Sequence, residues 1–508
     1  MAHSLRLPAR EPSASFVSTA SNTRFSIKWN GSQMIQGLER NGVSADYKIA
    51  YAIGSGSHAT GFLIQIAHHL FQSPLTYYAG RGWGLSPGYE NKKAPSFYRP
   101  ITPQCLFCHS GEARPVRGTV NTYQEPPFEA ERITCQRCHG PVEAHLRNPV
   151  AGSIISPAKL PVRARDSVCE QCHLSGEAFI LNPGKHFSDF HPGEDLEDVF
   201  TVYVFESSRD PEHPNALTVI SQSQQLALSM CARMSGGKLW CGTCHNPHEQ
   251  PAHPVAYFRA RCLSCHGAAL LETHPKPNRN CIACHMPRLP VTNGGHTIFT
   301  DHRIAIYTAQ EIAGKATPPA ASLAREQQTL VAWRPPPPAF QERNLGLADV
   351  KAGERLKAFT LVNRGFKLLL QCWSKFPNDP AVVTAIGQVL LGAGDASQAE
   401  ALFQKVIQLR PNDASSYVHA ALAWHAEHKD AQAVSCLNKA LRIDPLVQQS
   451  YRDLAGIYAA DHDLVMRRQT YERFLRAFPK SIEAQTAVQR AGRLMLLPAT
   501  GGGEANPD

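Results

Sequence analysis

The stretch Cys241-Gly242-Thr243-Cys244-His245-Asn246-Pro247-His248 sets two cysteines three residues apart and a histidine directly after the second. The same Cys-x-x-Cys-His unit occurs six times: Cys105/Cys108/His109, Cys135/Cys138/His139, Cys169/Cys172/His173, Cys241/Cys244/His245, Cys262/Cys265/His266 and Cys281/Cys284/His285. Two cysteines at this spacing can add to the two vinyl groups of one haem. The next residue then lies beneath the iron, where its imidazole binds as proximal ligand. Zinc is the competing chemistry for paired cysteines, but it needs four protein donors and has no use for a histidine after every second cysteine. Six such units within 181 residues predict six covalently attached haems c. Twelve of the 15 cysteines are used this way. Cys231, Cys372 and Cys436 remain, read as small apolar packing residues, so a disulfide framework is not expected.

The far face of each iron decides between a wire and a catalyst. A second imidazole makes a low-spin haem suited to electron transfer, whereas an open face can bind and reduce a small molecule. Thirteen histidines outside the motifs precede residue 313. His145 and His248 lie too close to His139 and His245 to reach the same iron's other side, so they are expected to serve a neighbouring haem. His302, His58, His274 and His296 complete the set of candidate distal ligands, while His68, His69, His186, His191, His213 and His253 are read as surface or propionate-contacting. The last three motifs begin at 241, 262 and 281, so their haems must nearly touch, as rapid electron hopping requires.

Composition sets limits. The net charge is +9, with no long basic run, so nucleic acid is not an expected partner. Six haems with their propionates would bring the charge to about +3 oxidised and about −3 reduced, making docking to redox partners depend on oxidation state. No run of eighteen apolar residues predicts a membrane span. Met1-Ala2-His3-Ser4-Leu5-Arg6 lacks the apolar core of a signal peptide.

The expected fold is mainly α, in two parts. Residues 1–312 form the haem-binding part. Within it, 1–104 is a mixed segment with some β structure, where Phe25–Trp29 and Leu70–Tyr78 alternate like strands and Gly54–Gly56 and Gly80–Gly84 read as turns. Residues 105–305 are the core, with short helices and loops around stacked haems. A Pro-rich linker is expected over 313–343, followed by helical repeats over 344–495 and a disordered tail over 496–508. The repeats follow from a period of 34. Pro377, Pro411, Pro445 and Pro479 recur at that interval, with Ala399 and Ala433 twelve residues before a proline. Phe403, Leu437 and Tyr471 fall eight before, and Leu390, Trp424 and Tyr458 twenty-one before. That pattern matches the tetratricopeptide repeat (TPR), an α-solenoid of helix pairs whose concave face usually grips a peptide or protein partner.

Cys135–His145, Cys241–His248, Cys281–Pro287 and Phe299-Thr300-Asp301-His302-Arg303-Ile304 resemble the multihaem cytochromes related to the nitrifier tetrahaem cytochrome and hydroxylamine oxidoreductase. The nearer likeness is to bacterial multihaem cytochromes fused to tetratricopeptide repeats, and it runs over nearly the full length. Leu70–Pro74 and Leu85–Tyr89 are similar to that family's pre-haem segment. The resemblance implies distal roles for His145, His248 and His302. Relatives begin with a signal peptide and a further Cys-x-x-Cys-His. A longer protein with a seventh haem is therefore expected, periplasmic or otherwise exported, with His3 as a further candidate ligand.

Three functions compete. The first is an electron carrier, with the repeats docking redox proteins. The second is a reductase or oxidoreductase of small nitrogen or sulfur compounds at one open iron, so whether the chain is an enzyme stays open. The third is a repeat scaffold that recruits a redox partner.

Overall fold

In the computed structural model of the chain, residues 4–9, 11–150, 152–209, 217–267, 269, 272, 274, 280–291, 293–312 and 328–496 are described. His3, His213, residues 313–327 of the expected linker and the tail beyond Leu496 lie outside them.

The first hundred residues form strands, not the mixed segment expected, and the chain as a whole carries substantial sheet beside its helices. Residues 23–30 (β3), 33–40 (β4) and 43–48 (β5), with Ala14–Ser18 (β2), make an antiparallel meander in the order β2-β3-β4-β5. The β4–β5 hairpin is set by Asn41-Gly42, both in the left-handed region at φ 55° and 75°. A two-residue turn of that kind follows the right-handed twist of the flanking strands. A second sheet has the order β1-β6-β7-β8-β10, with β9 paired to β8. It comprises Leu5–Arg6 (β1), Tyr51–Ile53 (β6), Ala59–Ile66 (β7), His69–Tyr78 (β8), Gly82–Leu85 (β9) and Arg99–Pro100 (β10). Gly82 to Gly84, read as part of a turn, thus begin a strand, and the turn is confined to Ala79–Arg81. Phe25, Ile27, Met34 and Leu38 of the meander share a core with Phe62, Ile64, Phe71 and Leu75 of the second sheet.

From Pro103 the helices are short. Among the described residues from 218 to 312, Val291 is the sole buried apolar side chain. A third sheet joins Ala178–Leu181 (β13), Phe200–Phe205 (β14) and Leu330–Ala332 (β17) in that order. The third strand corrects the linker. The described residues before Pro335 do not hold two bodies apart but complete a sheet of the first part. Arg334 then pairs with buried Glu170 at 2.8 Å.

Helix pairs follow: Gln341–Leu356 with Phe359–Cys372, Pro380–Gly392 with Ala396–Leu409, Ala414–Ala426 with Asp430–Ile443, and Gln448–Ala460 with Leu464–Ala477. A closing helix, Ile482–Leu496, ends the stack. The starts are written locally. Asp379 caps the second pair by accepting from the amides of Ala381 and Val382, with Pro380 in the first turn where no amide is needed. Asp395, Asp413 and Asp463 cap three further helices. Ala399, Ala433, Phe403 and Leu437, the positions in step with the prolines, are fully buried. These are tetratricopeptide-type helical repeats.

The solenoid is seated on the first part at both ends. Its first pair lies on the third sheet, where Leu347, Val350, Leu361 and Leu369 share a core with Ile180, Tyr203 and Leu330. There Arg343 donates to Leu181 O at 2.8 Å and pairs with Asp379 at 2.7 Å. Its last helices join the two-sheet core. Phe478 is fully buried against the rings of Phe71 (6.1 Å) and Tyr98 (4.8 Å). Tyr47 Oη donates to Lys480 O at 2.6 Å. His69, expected at the surface, is buried there instead, with Nε2 3.0 Å from Asp444 Oδ1 and 3.1 Å from Thr122 Oγ1.

Candidate functional site

Each Cys-x-x-Cys-His unit sits on a helical turn. The first, third and fifth lie at the C-terminal ends of Pro103–His109, Val162–His173 and Pro254–His266. The second occupies Gln136–His139 with Cys135 as a helical cap residue, the fourth begins with Cys241–Cys244 and the sixth fills Cys281–His285. On a helix, positions i, i+3 and i+4 fall on one side, so each turn aims two sulfurs and an imidazole the same way. The helices carrying the last three motifs bury no residue. A helix as long as Pro254–His266 ordinarily gains its stability by packing an apolar face. Here that helix buries no side chain and holds Val255 nearly half-exposed.

The motif cysteines are not all enclosed by protein atoms. Cys135, Cys265 and Cys284 are exposed, whereas Cys105, Cys108, Cys138, Cys169, Cys172, Cys241, Cys244, Cys262 and Cys281 are partly buried. Cys281 and Cys284 thus differ within one motif: Cys281 faces Cys262 of the preceding unit, and Cys284 lies on the outer side of the sixth turn.

Three motif histidines stand opposite a second imidazole. The His139 and His248 ring centres are 5.8 Å apart with planes 11° from parallel. His245 and His302 are 6.1 Å apart, and so are His285 and His274. One ring of each pair is held through Nδ1 by a backbone carbonyl: His139 by Ile155 O (2.7 Å), His302 by Thr300 O (2.9 Å) and His285 by Ala305 O (2.9 Å). A carbonyl can only accept, so Nδ1 carries the proton and neutral Nε2 keeps its lone pair for a metal. Burial holds His245 and His302 below the ordinary imidazole range, with His173 adding repulsion, and so favours the neutral, ligating form. Burial does the same for His109 and His173, although both rings still present surface to water.

The remaining candidates are placed differently. His145 Nδ1 meets Ser153 Oγ at 2.8 Å. His58 stacks on Phe299 at 4.3 Å, and its pKa is lowered by burial and then by the Arg288 charge. His296 meets the Tyr78 ring edge-on at 5.4 Å. No second imidazole faces any of these three, nor His109, His173 or His266, among the described residues.

The motifs also adjoin one another. The thiols of Cys108 and Cys172 lie close enough to perturb one another, as do those of Cys169 and Cys241 and of Cys262 and Cys281. The field of Cys265 reaches Cys244. The first, third, fourth, fifth and sixth motifs therefore form a row, and the second joins it through His139 and His248. Among the described residues, no three Cys, His, Asp or Glu side chains converge as a protein-only metal site requires.

Sequence reasoning did not find the groups that aim the rings. Asp301 is fully buried and grips Arg303 Nε through both carboxylate oxygens at 3.0 and 2.8 Å, while its amide donates to Pro287 O. That clamp fixes the turn carrying His302, whose own amide donates to Gln225 Oε1 at 2.8 Å. Asp301 sits inside the stretch quoted for His302 and so had a signal. The carbonyls of Ile155 and Ala305 had none, because a backbone acceptor leaves no mark in sequence.

No protein-family profile matches the chain, and no curated protein matches it. Similar solved structures include the first TPR of Spaghetti (RPAP3) bound to an HSP90 peptide, at 21% identity over 23% of this chain and 94% of that one, TM-score 0.21. MamA matches at 16% identity over 29% of this chain and 84% of that one, TM-score 0.26. An O-GlcNAc transferase of Thermobaculum terrenum matches at 16% identity over 28% and 27%, TM-score 0.24. The likeness is low and concerns helical pairing; nothing those proteins bind is carried over.

Proposed function

We propose that residues 105–312 hold six covalently attached haems c and relay electrons along them, in a protein that works outside the cytoplasm. Haem would supply one-electron redox chemistry, its iron held by imidazoles of this chain. The observation that carries this reading is the set of three imidazole pairs. An imidazole nitrogen bonds a transition metal at about 2.0–2.1 Å, which puts the ring centres of two trans ligands roughly 6 Å apart. The pairs span 5.8–6.1 Å, and each has one ring already held through Nδ1. The donors come in twos, which suits a macrocycle that supplies the other four positions and not a tetrahedral zinc site. The unpaired thiols beside every motif histidine fit thioether attachment, and the exposed ones at Cys135, Cys265 and Cys284 are open to it. The row of adjoining motifs supports transfer from one haem to the next.

On this reading His139 with His248, His245 with His302 and His285 with His274 would each hold one haem iron. The chain's own part is to hold one ring of each pair aimed through Nδ1 and, at His245 and His302, to favour the neutral form. The repeats serve protein contact, as such solenoids do, and their outward surface docks the redox partner.

The test is an oxidised and a dithionite-reduced optical spectrum of protein matured in an exporting host, with its intact mass. Six haems by mass and wholly low-spin spectra are expected. A mass without haem refutes the reading. A high-spin fraction near one haem in six moves it to a reductase acting on small nitrogen or sulfur compounds at an open iron.

A further inference from the structure

The seam between the last repeat and the first two sheets encloses a cleft of about 410 Å³, distant in sequence from the Cys-x-x-Cys-His units. Its walls bring together Arg40 from β4, Arg452 and Arg467 from the last helix pair, and Arg490 from the closing helix. One acid stands among them. Glu483 receives Arg452 through two bonds of 2.8 Å, so that pair is satisfied. The other three guanidiniums have no side-chain or ion-pair partner among the described residues. Arg40 Nη1 is buried with no acceptor at all, and burial lowers the Arg40 pKa against the partly offsetting field of Glu483.

A buried guanidinium N–H without an acceptor is costly, and four guanidiniums around one hollow against a single carboxylate give it a positive potential. Guanidinium forks match the oxygens of carboxylate and phosphate and bind them bidentately. The volume suits a small molecule and is too small for a folded partner. We propose that this seam cleft binds a small polyanion, carrying carboxylate or phosphate groups, through Arg40, Arg467 and Arg490. Because the three arginines come from the β part and from the solenoid, such an anion ties the two together. The inference does not depend on the haem reading.

Calorimetric titration of the whole 508-residue chain at low ionic strength tests it, with citrate as the carboxylate probe and inorganic pyrophosphate as the phosphate probe. Saturable binding of at least one probe at one site is expected. It should weaken at least tenfold in the double variant Arg467→Gln/Arg490→Gln, whose thermal midpoint without anion should match the parent because neither side chain has a partner to lose. A control double variant, Arg410→Gln/Arg442→Gln, removes the same charge elsewhere on the repeats and should bind as the parent does. Binding of citrate alone assigns carboxylate chemistry, and of pyrophosphate alone phosphate chemistry; either supports the site. Absence of saturable binding by both probes overturns the proposal. So does undiminished binding in the cleft variant, or equal weakening in the control, which would reduce the effect to general attraction by a basic chain.

Discussion

Replacing Phe478 with alanine should destabilise the whole protein, not the repeats alone. Phe478 is fully buried and touches rings from both parts: Phe71 at 6.1 Å and Tyr98 at 4.8 Å in the sheets, and Phe474 at 5.4 Å in the last pair. Truncating a buried phenylalanine costs about 3–5 kcal/mol. Edge-on ring contacts of this kind carry about 0.5–1.5 kcal/mol each within that sum. If the parts were independent, the loss would fall on the solenoid only. Because the seam is one core, it should fall on both. Denaturant unfolding of the haem-loaded protein, followed by fluorescence and by Soret absorbance, separates the cases. Trp29 and Trp83 pack against the same core as Trp424, so fluorescence reports on the seam from both sides. Phe478→Ala should move the two transitions together. A Soret transition unmoved while helical signal is lost early would refute the shared core. Deleting 344–495 outright cannot leave the first part undisturbed, since it strips cover from Phe71, Tyr98 and the third sheet at once.

Other outcomes follow from particular groups. His302→Gly should turn about one haem in six high-spin, and added imidazole should restore the low-spin spectrum; an unchanged spectrum removes His302 from the ligand set. Arg343→Ala should cost about 3–5 kcal/mol by leaving a buried Asp379 carboxylate unpaired, which a urea midpoint would register; the two side chains are 3% and 8% exposed. Burial pushes Glu170 from 4.5 up to about 7, against the pull of Arg334 and Trp333. The folded state therefore binds the extra proton, and stability should fall as pH rises from about 4.5 to about 7, by up to about 3 kcal/mol at about 1.4 kcal/mol per unit. Glu170→Gln should flatten that part of the stability–pH curve, and an unchanged slope would count against it.

The sequence made the repeats and the motif turns legible because both are local. A 34-residue period and an i, i+3, i+4 triplet are written in neighbouring residues. The strands were partly legible. Phe25–Trp29 and Leu70–Tyr78 announce themselves by alternation, but the extent of sheet does not, although Asn41-Gly42 marks a hairpin plainly enough. What the sequence hid is pairing at a distance. Nothing near His69 points to Asp444, nothing near Tyr47 points to Lys480, and Pro335–Pro338 reads as a spacer because β17 finds its sheet more than a hundred residues upstream. Among the candidate ligands, His248, His302 and His274 face motif rings while His145 meets a serine, a difference set by backbone turns that composition does not record. The same holds for the cysteines, since nothing in the spacing of Cys281 and Cys284 says which of the two lies outermost.

The bond between Tyr47 and Lys480 joins groups 433 residues apart in sequence. At roughly 5–20 residues per second, their syntheses are separated by roughly 20–90 s. Throughout that interval the sheet face that will receive Phe478 stands bare, and all six Cys-x-x-Cys-His units have emerged well before the last helix arrives to close it. Completion therefore comes late and from the far end of the chain, so a truncated or stalled product carries every motif yet lacks the element that shuts the molecule.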